Sequence, residues 1–132
     1  MSDARDKWVV QWTQTVRRER ALKNASGILT VLNKQYQALS AGDRLEVDGL
    51  LAGWVELTEW ARAGAVSGPD YIDDQDRWFS AMALIDTFRI RSAIPAVRRS
   101  VEGFRRMPGP MARDWREHLV KRVLPRLESD MS

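Results

Sequence analysis

The stretch RIRSAIPAVRRSVEGFRR, residues 89–106, decides how the chain is read. Ile94, Val97, Val101 and Phe104 recur at spacings of three and four, the period of a helix with one buried face. Arg98, Arg99, Glu102, Arg105 and Arg106 fall on the opposite face. Pro95 conflicts with that pattern only in a helix interior. With Ser92 as the cap, Pro95 sits in the first turn, where backbone N–H groups have no intrahelical acceptor to lose. The proline therefore starts a helix rather than breaking one.

The same period extends in both directions, and no alternation of apolar and polar residues is long enough to make a strand. Upstream, residues 74–88 place Trp78, Phe79, Met82, Leu84, Ile85 and Phe88 over more than one face, as in a centrally buried helix. Before it, GAVSGPDYIDD at 64–74 has no period and reads as the longest loop. Asp43 and Glu46 read as a capping box that opens a helix carrying Val47, Leu50, Leu51, Trp54 and Ala61. Ser26 is the expected cap of a helix to residue 39, with Leu29, Leu32, Tyr36 and Leu39 on one face. The first helix spans 3–22, with Trp8, Trp12 and Val16 on a stripe and Arg17, Arg18 and Arg20 at its C-terminal end, where positive charge suits the helix dipole. Downstream, Trp115, Leu119, Val123 and Leu127 stand four residues apart, with Pro125 expected to kink or split that last helix. The expected fold is thus all-α, about six helices forming one domain over 1–132.

A chain of 132 residues is long enough to bury a core, and 44% hydrophobic with 30% charged residues is a globular composition. Cysteine is absent, which excludes disulfides and thiolate metal sites. No apolar run reaches the roughly 18–20 residues that span a bilayer, and MSDARDKWVVQW lacks the apolar core of a signal peptide. A cytoplasmic protein without a membrane partner is expected. Net charge is +3, but it is unevenly spread: residues 43–86 hold ten acids against three Arg, and residues 89–126 hold eleven bases against three acids. Of 21 basic residues 17 are Arg, the side chain suited to bidentate capture of carboxylate or phosphate.

The run RWFSAMALIDTFRIRSAIPAVRRSV, residues 77–101, resembles a HEAT-like repeat: an Arg-led first helix with small residues Ala81 and Ala83, a short turn, and an AIPAV opening to the second helix. A fainter copy begins at Arg44, 33 residues before Arg77, near the periods of helical repeats. The resemblance implies α-hairpins stacked in a small right-handed solenoid or irregular helical bundle, with a surface that binds another macromolecule and no catalytic residue.

The residues themselves supply no complete catalytic set. His118 is the only histidine; Asp114 and Glu117 are near it in sequence, but no Ser, Thr or Lys completes a nucleophilic arrangement, and the position reads as an amphipathic surface one. Asp70, Asp73, Asp74 and Asp76 are read as acids that complement a helix N-terminus, since the glycine of a calcium loop and a second aspartate motif are both missing. No phosphate loop or dinucleotide fingerprint is present, and no metal or cofactor is assigned.

What remains is a binding surface. Six tryptophans are a heavy load, and Trp dominates binding interfaces; Trp12, Trp54, Trp78 and Trp115 fall on inner stripes, whereas Trp60 lies on the other side of its helix and is the candidate partner anchor. Arg98, Arg99, Arg105, Arg106, Arg113 and Arg116 form the candidate partner-binding set. The expected function is a non-enzymatic protein-binding module, monomeric or homodimeric: a dedicated inhibitor of the kind that bacterial toxin immunity proteins represent, or an adaptor. The alternative is nucleic-acid binding by the Arg-rich helices at about 92–126.

Overall fold

The computed structural model describes residues 3–57, 71–106 and 108–129, with the side chains of 3–6, 56–57 and 71–77 outside the description. Among the described residues every regular element is helical. The elements are α1 (Asp3–Ala21), α2 (Ala25–Gln37), α3 (Ala41–Leu57), α4 (Tyr71–Phe88), a 3-10 turn (Arg91–Ala93), α5 (Ile94–Arg106), α6 (Pro110–His118), a π-helical turn (Leu119–Val123) and α7 (Leu124–Glu128). The all-α expectation holds. No described helix is long and apolar enough to cross a membrane.

Local chemistry sets the boundaries, and several caps differ from the expected ones. Lys23, in the left-handed region at φ 58°, ends α1 while the Asn24 N–H reaches back to the Glu19 carbonyl at 2.8 Å. Asn24 takes the N-cap position of α2 without a side-chain cap bond, and Ser26 lies inside the helix. At α3 the cap is Ser40, whose Oγ accepts the Asp43 N–H at 3.2 Å; Asp43 is the third helical residue rather than the start of a capping box. Helix α4 starts at Tyr71, three residues before the expected Asp74, so residues 71–74 are helical; the rest of the expected loop lies outside the described residues. Ser92 does not cap α5: it lies within the 3-10 turn, whose own N-cap, Ile90, makes no side-chain cap bond. Pro95 is nevertheless the second residue of α5, in the first turn as expected.

The core is organised around α4, which packs against α1, α2 and α3, while α3 also meets α1 and α5 and α5 meets α6 and α7. Trp78, Ser80, Ala81, Met82, Leu84, Ile85 and Phe88 of α4 are all buried, spreading over more than one face as the sequence pattern required. Phe88 stacks on Tyr36 at 4.2 Å between ring centroids and meets Trp12 edge-on at 5.6 Å, tying α1 and α2 to α4. Trp78 does the same for the C-terminal helices: its ring meets Phe104 at 5.3 Å and Trp115 at 5.2 Å, both edge-on, and its Nε1 donates to Ser100 Oγ at 3.2 Å. Edge-to-face rings add to the burial of area, and the hydrogen bond satisfies the one polar atom of a fully buried indole. On α3 the buried stripe is Val47, Leu51 and Val55; Leu50 and Trp54 are half-buried, and Ala61 lies outside the described residues.

The last helix is interrupted just ahead of Pro125, by the π-helical turn Leu119–Val123 that stands between α6 and α7. His118, Leu119, Val123 and Leu124 all keep right-handed helical dihedrals, and the strain is taken up by the wider turn before the proline, where the Leu124 N–H donates to the Leu119 carbonyl five residues back. A residue repeated every fourth position on an α-helix drifts about 40° around the axis at each step. The wide turn reverses that drift, so Leu119, Val123 and Leu127 are all buried although they stand strictly four apart.

Candidate functional site

Helix α5 is buried on one side and basic on the other. Ala96, Val97, Ser100, Val101, Gly103 and Phe104 face the core, and Arg98, Arg99, Arg105 and Arg106 are exposed, as their spacing predicted. Its packing against α6, the π turn and α7 leaves an open groove of about 500 Å³ between α5 and the C-terminal helices. Arg98, Arg99 and Arg105 line it together with Glu102; Pro95, Val101, Val120 and Leu124 supply its apolar part. Val120 is 45% exposed, a large aliphatic side chain on the surface beside three guanidinium groups.

Three of the six candidate arginines are therefore brought together in one groove. Arg106, in the last turn of α5, and Arg113, on α6, are exposed but do not line it; Arg116 is half-buried. Arg113 and Arg116 precede Val120 by seven and four residues, on the helical row that leads to the groove. Trp60 lies outside the described residues, as do Asp70 and the side chains of Asp73, Asp74 and Asp76.

Within the chain, Arg98 Nη2 stands 3.4 Å from Glu128 Oε2 and Arg105 Nη1 stands 3.4 Å from Glu102 Oε1. All four side chains are about half exposed or more, and pairs of this kind contribute at most about 1 kcal/mol. They are weak enough to be exchanged for other carboxylates. A further pair, Arg126 with Asp86 of α4, joins the basic C-terminal part of the chain to its acidic middle.

A second, separate cavity of about 170 Å³ lies where α1, α2, α4 and the C-terminal helices meet, with Arg20, Phe79, Asp86, Trp115 and His118 among its walls. Phe79 and Trp115 stack at 4.7 Å, Arg20 lies over the Phe79 ring, and His118 meets Trp115 edge-on at 5.5 Å. His118, expected on the surface, is thus half-buried against an aromatic wall. Asp86 Oδ2 accepts from Arg126, while Oδ1 is buried and accepts no hydrogen bond. The stacked rings of this cavity belong to the packing of α4 against α6, and the α5 groove is the more open of the two.

Sequence reasoning found the arginines of the groove but not its apolar part. The available signal was Val120, an apolar residue off the four-residue stripe of Trp115, Leu119, Val123 and Leu127. No family model, no curated protein and no solved structure matches this chain.

Proposed function

We propose that this chain is a non-enzymatic module that binds another protein through the α5 groove, acting as a dedicated inhibitor of the immunity-protein kind or as an adaptor. In this reading the α4–α5 pair is a HEAT-like hairpin whose outer helix supplies the contact surface. The observation that carries it is the juxtaposition of Arg98, Arg99 and Arg105 with exposed Val120, over the buried side chains of Val101 and Leu124. Protein interfaces combine an apolar centre with Arg at its margin. A single-stranded nucleic acid site instead presents aromatic rings for base stacking, and among the described residues no aromatic side chain lines this groove.

The test is capture of the tagged chain's partner from native cells, with and without nuclease, at low and moderate salt. A stoichiometric protein partner that survives nuclease and is lost with Arg98→Glu plus Arg99→Glu supports the reading. Nucleic acid in the eluate, with steep log-linear loss on added salt, sinks it in favour of phosphate binding. Trp60→Ala in the same assay examines the second proposed contact.

A further inference from the structure

We infer that the occupant of the α5 groove is an acidic amphipathic helix of two to three turns, presented by the partner protein; this rests on the protein-binding reading above. Three observations lead to it. The first is shape. The lining residues of α5 run from Pro95 to Arg105, ten residues apart, which is about 15 Å of helix axis. The opposite wall is the row from Val120 to Leu124, so the groove is a trough between two packed helices, the shape into which the ridge of a third helix fits. Among the described residues there is no strand, and hence no sheet edge to which an extended peptide would add.

The second observation is charge. Among the described residues the groove is lined by three arginines and one glutamate. Arg98 and Arg105 are 60% and 59% exposed, and each is held only at 3.4 Å by a carboxylate of the same chain. Glu128 and Glu102 mark where the partner's carboxylates would sit, since a guanidinium fork recognises an incoming Asp or Glu by the same geometry. The third is the apolar strip. Val120 and Pro95 are exposed at the walls of the trough, and Val101 and Leu124 are buried beneath them. An occupant that covers this strip and answers the arginines needs apolar residues at positions i, i+3 or i+4, and i+7, flanked by Asp and Glu.

The test pans a helix-biased library of 15-residue peptides against the full chain and against its Val120→Asp variant, with a thermal melt of each variant as the folding control. Enriched peptides should share the apolar helical spacing and a majority of acidic flanks. A representative peptide should bind the wild type and lose at least about tenfold in affinity with Val120→Asp, and again with Arg98→Glu plus Arg99→Glu, a loss of the size expected when an interface anchor is removed. Enrichment of basic or non-periodic peptides, or affinity unmoved by both variants, overturns the inference. So does equal competition by a single-stranded oligonucleotide of matching charge. If cells yield a protein partner sensitive to Arg98→Glu plus Arg99→Glu but panning yields no acidic helices, the occupant is wrong and the protein-binding reading stands. If neither appears, both fall.

Discussion

Buried Tyr36 and half-buried Asp48 form a pair in which a single hydrogen bond, Tyr36 Oη donating to Asp48 Oδ1 at 2.6 Å, couples two ionisations to folding. Burial, then the bond to Asp48 and its negative charge, push the Tyr36 hydroxyl well above its usual range; burial also raises Asp48, partly offset by the Tyr36 bond and by Arg44. Both groups therefore hold their protons more tightly folded than unfolded. The stability contributed by each is complete below its unfolded value, 3.8 for the carboxyl and 10.0 for the phenol, and is lost as pH rises from there towards the raised folded value. Urea titrations across pH should show Asp48→Asn flattening the acid-side slope and Tyr36→Phe flattening the alkaline one. At neutral pH, Tyr36→Phe keeps the stack on Phe88 but strips Asp48 of its donor, for a loss of about 1–3 kcal/mol. Trp78→Leu should cost about 3 kcal/mol or more, because it opens a cavity between α4 and α5 and leaves the Ser100 hydroxyl without its donor. The burial of Trp78 was legible from helical period alone; the Tyr36–Asp48 pair was not, because the two residues come from different helices.

At the scale of elements, the end of α1 and the π turn carry the clearest expectations. Lys23 holds a left-handed conformation that costs an L-residue about 1–2 kcal/mol, part of which glycine recovers after its own entropic loss. Lys23→Gly should raise the urea midpoint by about 0.5–1 kcal/mol in stability. The π turn tests differently. Deleting exposed Lys121 removes the extra residue of the wide turn and leaves the flanking stripes in register, but brings the Pro125 ring against the carbonyl of the turn before it. The deletion should cost about 3 kcal/mol, and adding Pro125→Ala should restore most of it. Strict four-residue spacing just ahead of a proline was the sequence signature of this turn. It was legible as an oddity but not as a π turn, because an α-helix and a widened one differ only in where the hydrogen bonds close.

For the whole molecule, charge polarity is the organising feature. Residues 43–86 are rich in acids and residues 89–126 in bases, yet α3 packs on α5 through the apolar stripe of one and the inner face of the other. Among the described residues, the Arg126–Asp86 pair crosses to the acidic segment, and the pairs Arg98–Glu128, Arg105–Glu102 and Arg113–Asp114 lie within the C-terminal part. Arg98→Glu plus Arg99→Glu should therefore change stability by less than about 1 kcal/mol, since both side chains are exposed, while removing binding at the groove. A thermal melt beside the binding assay separates the two effects.

Composition and the helical period by themselves determined the fold class, the central place of α4, the two faces of α5 and the helix-starting role of Pro95, because each of these depends on side chains within one turn or two of one another. Caps were less determined: α2 begins after Asn24 rather than Ser26, and Ser40 rather than Asp43 caps α3. The groove was decided by tertiary structure alone. Its arginines belong to α5 and its Val120 and Leu124 to the C-terminal helices, and only the packing of α5 on those helices sets a charged rim beside an apolar strip.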